Sequence, residues 1–233
     1  MIALLVSTVA SQLVPSTLSP TISAKCNTTL GYQGQILNSA CFPNYNVTNP
    51  PTSTGDIISV YKSNIPSICS PNCVKAINYF HSAVMYACQG EQAFQNSNIT
   101  LPDFAVINLI STAASCVQDS NSNYCVIDQL NMASSFGVDM SQSFAVGASV
   151  VQKAITTATL KQGLICSNCA KNQLAAISNL DGVVGPFYDA VVQLNNTFNS
   201  NCTASNLQKD AGSYGDKAVL SIGAVLLTLA IAV

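Results

Sequence analysis

Ten cysteines constrain this chain more than any other feature. They stand at Cys26, Cys41, Cys69, Cys73, Cys88, Cys116, Cys125, Cys166, Cys169 and Cys202, all between two apolar ends that carry no charge. An even set confined to the middle of a chain with secretory ends reads as a disulfide framework built in an oxidising compartment. Ten cysteines allow about 945 pairings, so spacing alone assigns none. One constraint does follow. Five cysteines precede residue 100 and five follow it, so full pairing needs an odd number of bridges between the halves. The expectation is one cross-linked unit.

The ends set the compartment. Met1 to Ala10 is an apolar run too short to span a bilayer and reads as the core of a secretory signal, cut between Ser16 and Ala24. Ala218 to Val233 is uncharged and runs to the last residue, after the polar stretch Ser213–Lys217 and the small triplet Asp210-Ala211-Gly212. Small residues, polar spacer and apolar tail form a glycosylphosphatidylinositol (GPI) attachment signal. Asp210 is the expected attachment residue, with Gly212 or Ser213 as alternatives. The domains expected are a signal peptide over 1–24, an ectodomain over 25–210 and a GPI propeptide over 211–233. The protein is therefore expected on the outer face of the plasma membrane or in the cell wall, its membrane partner being the GPI lipid.

Charge excludes several functions. Charged residues are 8% of the chain, the formal net charge is −2, and there is no arginine. Without a basic footprint or bidentate donors, no nucleic-acid partner is expected. One histidine (His81) and one glutamate (Glu91) leave little for acid–base chemistry, and no cofactor is expected. With 22 Asn, 28 Ser and 16 Thr, the surface is neutral and polar. Five sequons, at Asn27, Asn46, Asn98, Asn195 and Asn201, predict N-linked glycans on it.

The apolar pattern is helical. Cys73, Ile77, Phe80, Val84 and Cys88 step by 4, 3, 4 and 4, and Phe187, Val191, Leu194, Phe198 and Cys202 repeat those steps. Each face ends in a cysteine, which predicts a helix stapled through its last turn. Pro71 and Pro186 sit near the starts, where proline is tolerated. Thr100-Leu-Pro-Asp103 resembles a capping box opening a helix to about Cys116. Ser167 is placed to cap a helix to Leu180 that stops at Asp181-Gly182. Tyr124 to Met132 reads as a short helix and Ser141 to Leu160 as another, while Asn44 to Gly55 reads as a loop. An internal echo, Ile68-Cys-Ser-Pro-Asn-Cys-Val-Lys75 against Ile165-Cys-Ser-Asn-Cys-Ala-Lys171, suggests two degenerate halves. The fold class expected is all-α: a disulfide-rich helical ectodomain.

These ICSxNCxK and ICSNCxK elements, the cysteine-ended helices and the C-terminal signal resemble an uncharacterised family of fungal secreted, cysteine-rich, GPI-anchored surface proteins. The resemblance covers roughly Cys26 to Cys202 and implies a helical ectodomain on a fungal surface, with no activity attached. Cys69-x3-Cys73-x14-Cys88 alone is similar to the spacing in oomycete elicitins and in the fungal eight-cysteine haem-binding domain. The elicitin gap is one residue longer and the haem-binding cluster is missing, so neither ligand is carried over to any residue.

The function expected is a non-enzymatic surface or wall protein, with cell-wall polysaccharide among its partners. The alternative is a carrier of a small apolar ligand, a sterol or fatty acid, lined by Phe80, Val84, Phe104, Ile107, Phe187, Val191 and Phe198. Zinc or thiol-redox chemistry at Cys166-Ser-Asn-Cys169 or at Cys69 and Cys73 would compete with ordinary disulfides, which the compartment favours. A serine–histidine pair would need His81 and Ser82, but neighbours on a helix point different ways.

Overall fold

A computed structural model describes residues 22–43, 54–93, 100–127 and 168–202. Six helices lie in these residues: α1 (Ala24–Cys41), α2 (Thr54–Ile68), α3 (Pro71–Ala87), α4 (Leu101–Ser115), α5 (Asn168–Ser178) and α6 (Pro186–Asn201). Among the described residues there is no strand, only two isolated bridges, Gln92 with Thr100 and Gln118 with Tyr124. The all-α, disulfide-rich expectation is met.

Local chemistry sets the helix starts. Ser70 caps α3 by accepting from the Cys73 N–H at 3.2 Å, and Pro71 occupies the first turn. At α4 the capping box is complete: Asp103 N–H donates to Thr100 Oγ1, and Thr100 N–H donates back to Asp103. Asp therefore serves where Glu is usual. Helix α5 is followed by Gly182 in the left-handed region at φ +70°, as Asp181-Gly182 suggested. The expected loop is shorter than read, because α2 already begins at Thr54. Residues 125–127 make a helical turn. The rest of the helix read to Met132, the helix read over 141–160, the Ser167 cap, and both chain ends lie outside the described residues.

Helix α4 is the centre. It is buried on nearly every side, from Leu101 through Ser115. Three of its buried polar side chains turn back onto its own carbonyls: Asn108 to Phe104, Ser111 to Ile107, Thr112 to Asn108. These three side chains are thereby satisfied. Helix α3 packs on α4, with α1 and α2 beyond it, and α5 and α6 both pack on α4 as well. The buried side chains form one continuous cluster that includes Leu30, Ile65, Ile77, Phe80, Ile110, Leu174, Ile177 and Val191.

The disulfides follow the helix ends. Cys26 joins Cys88, Cys41 joins Cys73, Cys69 joins Cys116, and Cys125 joins Cys169. Cys202 is disulfide-bonded too, and of the ten cysteines only Cys166, outside the described residues, is not accounted for. Cys69–Cys116 is the one described bridge that joins the two sequence halves, which satisfies the odd-number constraint. The echo has a structural counterpart: Cys73 and Cys169 each open a helix and each bridge back to an earlier cysteine. The halves are nevertheless unequal, since α3 pairs with a helix before it and α5 with one after it.

Candidate functional site

The best-defined local geometry is the pair α1 and α3. Cys26 and Cys41 are fifteen residues apart, and so are Cys73 and Cys88. Because Cys26 bonds Cys88 and Cys41 bonds Cys73, the helices run antiparallel and are fastened at both ends of a span of about 22 Å. The buried residues on α1 are Cys26, Leu30, Gly34, Leu37 and Cys41, with steps of 4, 4, 3 and 4. Those on the facing stripe of α3 step by 4, 3, 4 and 4, the same series reversed. The register therefore sets Leu30 level with Val84, Gly34 with Phe80, and Leu37 with Ile77. A glycine in mid-helix costs about 0.5–1 kcal/mol against alanine. Here it stands level with the bulkiest buried side chain of the pair. The equal spacing stands in the sequence, but it fits a parallel pairing as well, and the structure selects the antiparallel one.

One face of this clamp carries exposed aromatic rings. Lys75, Tyr79 and Tyr86 lie along one stripe of α3 at spacings of four and seven residues. Tyr79 is 58% and Tyr86 75% exposed. Lys75 Nζ stands 5.8 Å from the Tyr79 ring centre. Lys25 Nζ of α1 stands 3.9 Å from that of Tyr86, so the stripe continues onto α1. Tyr32, two turns beyond Lys25, is 64% exposed. Sequence reading missed this face because single tyrosines on a helix carry no pattern until the partner helix is placed.

The sequence candidates fall elsewhere. His81 is buried, and its Nε2 has no hydrogen-bond partner. Burial holds its pKa below the usual 6.5. Ser82 is exposed and donates to the Asn78 carbonyl at 3.0 Å, so it does not serve His81. Cys69 and Cys73 lie in different bridges, and Cys169 lies in a third. Among the described residues no cluster of His, Cys, Asp or Glu is arranged to hold a metal ion. Phe80, Val84, Phe104, Ile107 and Val191, read as a lining for an apolar ligand, are buried in the common core.

Asp119 is the most heavily bonded carboxylate among the described residues. Burial alone would push its pKa up, but the N–H groups of Asn123 and Asn121, both at 2.8 Å, and the Asn side chains outweigh that and hold it below 3.8. It folds a turn in which Ser122 takes the left-handed φ of 64°. That is a structural task.

The sequons differ in setting. Asn27 is exposed on α1, on a different side from Lys25. Asn195 is half-buried, and its amide donates to Ser178 Oγ at 3.0 Å. Asn201 ends α6. Asn46, Asn98 and the residues Asp210, Gly212 and Ser213 lie outside the described residues.

Comparison with known proteins then places the chain. The family model of the secreted LysM effector N-terminal domain matches residues 21–148, more than half its length. The chain belongs to this family. The match spans α1 to α4 and so contains both clamp bridges and the Cys69–Cys116 bridge. Membership bears out the expected secreted fungal family and an extracellular location. No curated protein and no solved structure matches the chain.

Proposed function

We propose that this protein is a non-enzymatic, N-glycosylated surface protein, tethered by a GPI lipid at the outer face of the plasma membrane or in the cell wall. Its exposed tyrosine–lysine stripe rests on wall polysaccharide. The observation that carries the reading is a stripe of rings held on a helix pair fastened at both ends. A rigid platform loses little conformational freedom on binding. The flat faces of Tyr32, Tyr79 and Tyr86 suit the apolar faces of sugar rings, and the Lys25 and Lys75 ammonium groups can donate to hydroxyls. A neutral polymer is a better match than a charged one, because the chain has little charge of either sign. The secreted family supports the compartment. The apolar terminal tail supports the anchor, and among the described residues exposed Asn27 is the sequon best placed for a glycan.

Two measurements test this. A GPI-specific phospholipase should release the protein from intact cells; retention, with the tail still present by mass spectrometry, refutes the anchor. Purified ectodomain should co-sediment with insoluble wall polysaccharide, and Tyr79→Ala with Tyr86→Ala should lose most of that retention. Equal retention of wild type and variant refutes the platform.

A further inference from the structure

Ser23 is built into the fold. Its Oγ caps α1 by accepting from the Cys26 N–H at 3.2 Å, and its carbonyl accepts from the Asn27 N–H at 2.9 Å. Ile22, just before it, packs against the core. The one glutamate of the chain, Glu91, reaches it from 68 residues away: Ser23 N–H donates to Oε2 at 2.9 Å, and Ser23 Oγ–H donates to Oε1. Cys26 and Cys88 are bonded to each other, and Ser23 and Glu91 stand three residues outside them on either strand of the clamp. The contact is thus one more rung beyond the last bridge. It also sets a carboxylate at the positive end of the α1 dipole.

We infer that the secretory leader is removed on the amino side of Ser23, so that Ser23 and its tie to Glu91 belong to the mature protein. This rests on reading the N-terminal segment as a leader, and it moves the boundary from after residue 24 to before Ser23. A leader-removing peptidase requires small residues one and three places before the cut. A cut after Ala24 puts Ile22 in the third place, whereas a cut after Thr21 puts Ser19 there. In the cleavage, water adds across the peptide bond, leaving a carboxylate on the leader and an ammonium on the mature chain. A cut after Thr21 puts that ammonium on Ile22 and keeps the Ser23 amide as donor to Glu91, whereas a cut after Ile22 would put a bulky residue in the first place. A cut after Ala24 removes the cap of α1 and strips Glu91 of both bonds.

The test is the first residue of the protein recovered from a secreting host, read by N-terminal peptide mass spectrometry. The expected start is at Ser23 or earlier, after removal of the apolar segment. A start at Ala24 or beyond overturns the inference. A start at Met1 overturns the leader reading itself and the inference with it, and is distinguished by the intact N-terminal peptide. As a second measurement, a chain engineered to begin at Lys25 should melt lower than one beginning at Ser23, by about 2–4 °C for a lost cap. Equal melting would overturn the role given to Ser23.

Discussion

The pair α1 and α3 and the pair α5 and α6 solve the same packing problem by different means. Each is two helices lying against α4 or against a helix that does. The first pair is fastened to itself covalently at both ends. The second is tied to itself, among the described residues, by polar contacts: Tyr188 O–H donates to the Ser178 carbonyl at 3.0 Å, and Asn195 donates to Ser178 Oγ. The described bridge of α5, Cys125–Cys169, leads away to the turn after α4. A cross-link lowers the entropy of the unfolded chain, so the first pair keeps its register with few polar ties. The second combines a disulfide at Cys202, directly after α6, with polar groups that must stay paired in the folded state. That difference makes the first pair the better platform for exposed aromatic rings.

The largest test removes a clamp bond. Cys26→Ser with Cys88→Ser should lower stability by roughly 4 kcal/mol, the chain-entropy value for such a loop. A loss below about 1 kcal/mol in denaturant titration would mean that packing, not the bonds, holds the pair. Next, Gly34→Leu should cost about 1–3 kcal/mol by overfilling the level that Phe80 occupies. An unchanged melting temperature would show that the register does not bring that level into contact. In the second pair, Tyr188→Phe should cost about 1 kcal/mol, with Cys26–Cys88 still intact by peptide mapping. A neutral result would remove the polar tie from the comparison.

The smallest effect is a pH dependence. His81 has a folded pKa below its unfolded value of 6.5, because burial disfavours the charged ring. The unfolded state then binds more protons below that value. The contribution is fully present above pH 6.5 and is lost as pH falls toward the folded pKa. Asp119 has the same sign at lower pH: its contribution is present above 3.8 and is lost as pH falls through the depressed folded value. His81→Leu should flatten melting temperature against pH just below 6.5 and leave the more acidic loss in place. An unchanged slope below 6.5 would clear His81 of the effect.

Much of the fold was legible because it is local. The Thr100–Asp103 box, the Pro71 and Pro186 starts and the face ending at Cys88 are set by neighbours within a few residues, and such signals survive in one dimension. The compartment is equally local, since a disulfide framework between apolar ends speaks for itself. The candidate site was less legible. Tyr32, Tyr79 and Tyr86 become one face only when Lys25 is laid over Tyr86 from another helix. His81 is buried with an unpaired nitrogen, because α3 buries more of its circumference than one stripe.

By itself the sequence determined a helical, neutral, cross-linked secreted chain, because composition and short spacings act on each residue's own surroundings. Tertiary structure alone decided which cysteines meet, that α4 lies at the centre, and that Glu91 holds Ser23 across 68 residues. Those depend on the relative placement of helices, which the chain fixes only when all of them pack together.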